Sequence, residues 1–252
     1  MYKILANTLF TGQRLVFVPE CHSTNSLASE LASKTNLPEG TVVITSHQTA
    51  GRGQRGNTWE TSAGMNLTFS VLMKPVFLSV KNQFSLTLMT SLAIADFLKA
   101  QAIEAVTIKW PNDILVGKKK ICGILIENSV QKEFIQQSII GIGLNINQAE
   151  FTVSTATSMA NATGKNFDLN QLLNTLLENL EQRYLQLRAG KLPALKNEYL
   201  DTLFGRGELR TFLSQGKKIE GIIEDVNENG ELLVSVDSKQ FKYSLKEITF
   251  LL

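Results

Sequence analysis

Residues 109–127 read KWPNDILVGKKKICGILIE, and the rest of the chain is organised around them. The stretch is a strand, a tight basic turn and a second strand. Residues 107–110 form the first run, a Pro-Asn-Asp break follows, and residues 114–116 continue it. Gly117, Lys118 and Lys119 supply the turn, and residues 121–126 are the return strand. Pro111 fixes its own φ and biases Trp110 toward extended backbone, so Asn112 and Asp113 are presented at a defined point of a sheet. Lys120 stands where the return strand leaves the turn. Gly123 has no side chain, so a ligand can approach the backbone there. An amide, a carboxylate, an ammonium and open backbone thus converge on one slot. Lys118 and Lys119 are expected to face water, as charge runs do.

Composition narrows the class. The chain has 252 residues, 43% hydrophobic and 19% charged, which is globular and long enough for a full core. A net charge of +2 carries no footprint of a nucleic-acid or membrane partner. Cys21 and Cys122 are far apart, which argues against a disulfide framework or a zinc site and fits a reducing cytoplasm. His22 and His47 are the only histidines, so a His-based metal site or a Ser-His-Asp triad is poorly supplied. The N-terminus does not read as a signal peptide. Residues 84–98, FSLTLMTSLAIADFL, are the most apolar run. They include Asp96 and fall short of the ~20 residues that cross a bilayer, so a buried core helix is expected.

Two further stretches carry chemistry. Residues 14–18 form a strand, and Cys21-His22-Ser23-Thr24-Asn25 leads into a helix marked by Leu27, Ala28, Leu31 and Ala32. Ser23 or Thr24 is expected to cap it, and a helix N-terminus with free hydroxyls also suits a polar ligand group. Strand 41–45 then delivers QTAGRGQRGNTW, residues 48–59. Gly51, Gly53 and Gly56 have the spacing of a dinucleotide fingerprint, but that motif must open a helix. Here the next element, NLTFSVLM at 66–73, alternates like a strand, and no acidic residue follows at ribose-binding distance. What remains is a glycine loop with Arg52 and Arg55, whose forks match phosphate and carboxylate, and Trp59, which offers a flat face. A plain surface loop or an Arg-Gly patch on RNA stays open at this point.

The remainder reads as scaffold with one exception. Residues 82–102 form a helix and 134–146 a strand, FIQQSIIGIGLNI, in which Gly141 and Gly143 make room. Asn145 at its end is either a turn former or a contact to ribose or phosphate. Residues 151–165 are loop-like. Helices span 168–188, with a leucine stripe, and 194–204. After Gly205-Arg206-Gly207 come short strands at 209–213, 218–226, 231–236, 240–245 and 247–251. They make a small β unit, expected to be a barrel that leans on the preceding domain. The division is thus 1–205 and 206–252.

With these pieces in order, the chain resembles a biotin–protein ligase. The matching motifs are STN at 23–25, Q-x-A-GRGxRG-x-x-W at 48–59, KWPND at 109–113, K-x-x-GIL-x-E at 120–127 and GIGLN at 141–145. The resemblance implies an α/β (α+β) fold, a mixed sheet with flanking helices like that of class II aminoacyl-tRNA synthetases, plus a C-terminal SH3-like barrel. It implies two steps: biotin and ATP give biotinyl-5′-AMP and pyrophosphate, then a lysine of a biotin carboxyl carrier protein takes the biotinyl group. By resemblance, Lys120, Arg52 and Asp113 are catalytic. Ser23, Thr24, Asn25, Gln48, Gly51, Arg52, Gly53, Gln54, Lys120 and Gly123 bind biotin. Arg52, Arg55, Asn57, Trp59, Asn112, Asp113, Lys120 and Asn145 bind ATP, and Asp113 helps hold Mg²⁺. The glycine loop is expected to order on biotin binding. Gln54 and Asn57 depart from the basic residues common at these positions, which leaves phosphate neutralisation to Arg52 and Arg55. The chain starts almost at the catalytic motifs, so a monofunctional, cytoplasmic enzyme is expected, a monomer or weak homodimer that binds neither nucleic acid nor membrane. A lipoate or octanoate ligase or transferase, and a non-enzymatic RNA- or partner-binding module, are the competing readings.

Overall fold

The computed structural model describes residue 2 and residues 7–251, except the side chain of Arg55. A seven-stranded mixed sheet forms its centre. The strands are β1 (Leu15–Cys21), β2 (Thr41–Gln48), β3 (Leu67–Met73), β4 (Val106–Lys109), β5 (Asp113–Val116), β6 (Lys119–Gln131) and β7 (Phe134–Leu144). Their order is β1-β2-β3-β7-β6-β5-β4. Only β1 and β2 pair in parallel; the crossover between them is α1 (Thr24–Lys34), because a parallel pair cannot be closed by a tight turn. The quoted stretch supplies β5 and most of β6, with Gly117 at φ +60 in the turn between them; the Pro-Asn-Asp break, read as an interruption within one strand, instead reverses the chain, so that β4 and β5 pair antiparallel. Lys118 and Lys119 are exposed, as expected.

The two faces of the sheet differ. Ile44, Phe69, Ile142 and Ile124 pair side by side across β2, β3, β7 and β6 and are almost wholly buried. Helices α2 (Phe84–Ala100) and α4 (Leu169–Arg188) join this face in one core. Each buried Leu or Ile contributes roughly 1.5–3 kcal/mol. Asp96, the lone acid in the apolar run, pairs with Arg183 of α4 at 2.6 Å. The opposite face is covered only in part, by α1, through Ala28 against Val43 and Ile139.

Several boundaries differ from those read in the sequence. β6 runs on to Gln131, and β1 to Cys21, because ladder pairing extends past the apolar run. Residues 80–82 form a separate 3-10 turn ahead of α2. Within the expected loop lies α3 (Met159–Thr163), capped by the Ser158 hydroxyl, which accepts from the Asn161 N–H. Helix α5 (Leu192–Thr202) starts two residues early, with proline in its first turn.

A second, antiparallel sheet follows, made of β8 (Leu209–Ser214), β9 (Lys217–Val226), β10 (Leu232–Val236), β11 (Lys239–Tyr243) and β12 (Ile248–Phe250), in the order β11-β10-β9-β8-β12. It fits an SH3-like barrel. It does lean on the large sheet: Phe212, Ile223, Leu232 and Ile248 belong to the same buried cluster as the first domain's core. Trp110 Nε1 donates to the Gly230 carbonyl at 2.9 Å. A β-carbon at Gly230 would meet the Phe84 ring at 2.5 Å, so only glycine allows this approach.

Candidate active site

One cross-strand row builds the site. Lys109 pairs with Asp113, Asp113 with Gly123, Gly123 with Gly143, and Gly143 with Thr68. Directly opposed residues project on one face, so the chemistry of the row is collected on the open side of the sheet. Two residues further along, Ser70 pairs with Gly141 and Gly141 with Leu125. The three glycines leave a trough across the sheet. Two side chains fill part of it. Trp59 lies over Gly143 and Gly123, where added β-carbons would sit 2.3 and 3.0 Å from the indole. Asn25, from the first turn of α1, lies over Gly141, where one would meet its Oδ1 at 2.3 Å.

A cavity of ≈ 260 Å³ opens on this trough. Of the residues singled out in the sequence, it gathers Ser23, Thr24, Asn25, Gln48, Arg52, Gly53, Gln54, Asn57, Trp59, Asn112, Asp113, Lys120 and Gly123. Gly51 lies behind the lining; a β-carbon there would meet the Trp59 carbonyl at 2.3 Å. The Arg55 side chain lies outside the described residues. Asn145 belongs to a second cavity of ≈ 670 Å³, with Glu60, Gln148, Phe151 and Ala156 among its walls. Thr58, Trp59 and Lys120 line both cavities.

The polar end of the first cavity differs from the expected cap. Ser23 is at the N-cap of α1, but its side chain makes no capping bond. Gln48 does that work, its Oε1 accepting from Thr24 N–H at 2.8 Å. Ser23 itself lines the cavity. Ser70 Oγ lies 2.7 Å from Thr24 Oγ1 and 2.6 Å from Asn25 Oδ1, which fixes both side chains. Asn112 is locked by its Nδ2 donating to the Ile124 carbonyl at 2.7 Å. Asn145 Nδ2 donates to the Thr157 carbonyl at 3.0 Å, while its buried Oδ1 has no partner among the described residues. Trp59 Nε1 is unpartnered in the same way. Buried polar atoms are rarely left so, and both atoms belong to residues of the site.

Charge is concentrated at the other end. Lys120 Nζ is 2.5 Å from Asp113 Oδ1, and Lys109 Nζ is 3.3 Å from Asp113 Oδ2. Two ammoniums on one carboxylate leave one net positive charge at the row's end. Lys120 Nζ also stands 5.5 Å from the Trp59 ring centre, and Lys109 5.2 Å from that of Phe250. Behind them, burial pushes the Cys122 thiol well above its ordinary range; the Lys120 ammonium acts the other way and Asp113 adds to the rise. That thiol stays protonated and unreactive. The glycine loop is a small hairpin, closed by Gly53 N–H to the Asn57 carbonyl at 2.7 Å and Trp59 N–H to the Gly51 carbonyl at 3.0 Å.

Sequence reading missed Thr68, Ser70, Lys109 and the barrel residues Leu245–Phe250, of which Leu245, Lys246, Ile248, Thr249 and Phe250 line the first cavity. Thr68 and Ser70 had a signal: they are the polar positions of an alternating strand. The barrel residues had none, since their contribution depends on how the second sheet docks.

The model of the Biotin/lipoate A/B protein ligase family matches residues 18–145. The bifunctional ligase/repressor BirA of Bacillus spizizenii is 35% identical over 178 residues, 69% of this chain. That match spans about half, 54%, of the relative's length. The biotin–[acetyl-CoA-carboxylase] ligase of Mycobacterium tuberculosis is 32% identical over 245 residues, 95% of this chain and 90% of that one. Among solved structures, the biotin protein ligase from Aquifex aeolicus in complex with biotin and ATP superposes with a TM-score of 0.78 at 26% identity, over 94% of this chain and 98% of that chain. The biotin protein ligase from Leishmania major in complex with biotinyl-5-AMP does so with a TM-score of 0.63 at 26% identity, over 92% and 99%.

Proposed function

The chain belongs to the biotin/lipoate A/B protein ligase family, and we propose that it activates biotin with ATP and transfers the biotinyl group to a lysine of a carrier protein. One observation carries this reading: Lys120 lines both cavities, at the place where they adjoin. The first cavity, with Ser23, Thr24, Asn25 and Gln48 at its polar end, takes the biotin ring system. The second, with Asn145, takes the nucleotide. The carboxylate and the α-phosphate then meet at an ammonium.

That arrangement supplies what the chemistry needs. A carboxylate oxygen attacks the α-phosphorus, the bond to the bridging oxygen breaks, and pyrophosphate leaves. Two anions approach one another in this step, so a fixed cation at their meeting point stabilises the transition state more than the separated reactants. Lys120 is that cation. Asp113 holds it in place, and Lys109 keeps Asp113 from being stranded if Lys120 turns toward the phosphate. In the second step the carrier's amine attacks the acyl carbon and AMP leaves. The mobile element is the hairpin at 51–59, whose closing shields the adenylate from water.

An all-protein cage for Mg²⁺ is not found among the described residues. No cluster of three His, Cys, Asp or Glu side chains is present among them, and both Asp113 oxygens already bond ammoniums. A magnesium ion would arrive on the nucleotide's phosphates, as it does at many ATP sites. The catalytic unit is read as 1–205 and the β unit as 206–252, whose β12 end walls the first cavity. No described helix is long and apolar enough to cross a bilayer.

Incubation with ATP, biotin and a biotin carrier domain tests the reading. Biotin on the carrier lysine, detected by intact mass, is expected. Modification by lipoate in place of biotin, or none with either acid, would overturn it.

A further inference from the structure

Glu127 lines neither cavity, yet it ends a hydrogen-bond chain that starts on the floor of the first. The direction of that chain follows from its donors. Asn25 Nδ2 donates to Glu127 Oε2 at 2.8 Å and to the Leu125 carbonyl at 3.2 Å, so Asn25 Oδ1 faces Ser70. Oδ1 can only accept, so the Ser70 hydroxyl proton goes to it, across 2.6 Å. Ser70 Oγ also lies 2.7 Å from Thr24 Oγ1, whose hydroxyl donates to Gln48 Oε1 at 3.3 Å. From Ser70 through Asn25 the protons point one way, and the last acceptor is the Glu127 carboxylate. Asn25 is buried, in space that the missing side chain of Gly141 leaves open. Glu127 is thereby fixed from the inside.

From outside, the same oxygen meets the glycine hairpin: Arg52 Nη2 donates to Glu127 Oε2 at 2.8 Å. Arg52 is also the residue that pairs with Thr58 to close the hairpin. We propose that Glu127 is a positioning residue, a fixed carboxylate that latches the hairpin over the first cavity through Arg52. This deepens the ligase reading and rests on it for its functional consequence. An ion pair as open as this one, with side chains 45% and 40% exposed, does little for global stability. Its effect is confined to where Arg52 and the hairpin stand, and it is screened by salt.

Glu127→Gln separates the two contacts. The amide oxygen still accepts from Asn25, but Arg52 loses its counter-charge. The test is hydrogen exchange on the full chain without ligand, for wild type, Glu127→Gln, Arg52→Ala and the double variant. The amides of 51–58 should exchange about fivefold faster in Glu127→Gln, the factor that roughly 1 kcal/mol of local opening represents. Strands β6 and β7 should not change. The double variant should match Arg52→Ala alone, and added salt should speed the hairpin of wild type but not of Glu127→Gln. In steady-state assays the biotin KM should rise by a similar factor with kcat nearly unchanged. Unchanged hairpin exchange in Glu127→Gln, or effects that add in the double variant, would overturn the latch. Wild type without biotin-dependent turnover would instead overturn the ligase reading, and the exchange data would still decide the latch.

Discussion

The indole of Trp59 rests on Gly143 so closely that a β-carbon at that glycine would lie 2.3 Å from the ring. Gly143 and Gly123 are direct partners on neighbouring strands, and the ring covers both. Trp59 also lines both cavities. The ring therefore stands where the two meet, and its place depends on hydrogen atoms at two backbone positions.

Gly143→Ala should push the ring out of the trough. Gly143 has no left-handed φ, so alanine is not strained there and the sheet should persist. Tryptophan emission should shift to the red, since the other tryptophan, Trp110, is buried and constant. Activation of biotin should fall by about a hundredfold, the scale on which a displacement near 1 Å acts. Unshifted emission with full activity would show that the ring does not need the gap.

Much of this was legible because it rests on local chemistry. Alternation gave β3, β-branched runs gave β2, and the leucine stripe gave α4. Gly123, Gly141 and Gly143 were readable as open backbone. Their alignment into a single trough was not, because register is set by pairing between distant strands. Ser23 shows a similar limit: composition marks it as a helix cap, but the competing acceptor, Gln48, comes from 25 residues away. The pairing of one carboxylate, Asp113, with two lysines combines a close sequence neighbour, Lys109, with one brought over by the hairpin.

Lys120→Met should remove the cation and keep the bulk. Asp113 would retain Lys109, so the melting temperature should hardly move. The rate of adenylate formation should drop by roughly 10²–10³, as for loss of one group that stabilises transition-state charge. Pyrophosphate exchange at saturating biotin measures it, and a wild-type rate would remove Lys120 from the reaction.

Trp110→Phe should loosen the barrel. It removes the donor to the Gly230 carbonyl and leaves that acceptor without its partner. The cost should be about 1–2 kcal/mol. Hydrogen exchange should rise in β9 and β10, flanking Gly230, before it rises in the seven-stranded sheet. Equal acceleration in both sheets would mean that they open as one unit.

Glu181 should make stability depend on acid pH. Burial acts to raise its carboxyl, but the backbone N–H groups of Thr11, Leu9 and Phe10 bond it and the net displacement is downward. A carboxyl lower in the folded state than in the unfolded one stabilises above its ordinary range. That contribution fades as pH falls through the depressed value. Glu181→Gln should thus cost about 1.5–3 kcal/mol at neutral pH, the scale of hydrogen bonds to a charged group, and less below pH ~4. Thermal melts at both pH values check this; an equal gap would show that the charge is not what binds the segment at 9–11.

Exchange of labelled pyrophosphate into ATP isolates the first chemical step and needs neither carrier nor transfer. If Lys120 joins a biotin carboxylate to an α-phosphate, purified protein should support exchange when biotin is added and none without it. Exchange that ignores biotin, or that lipoate drives in its place, would contradict the assignment of the two cavities.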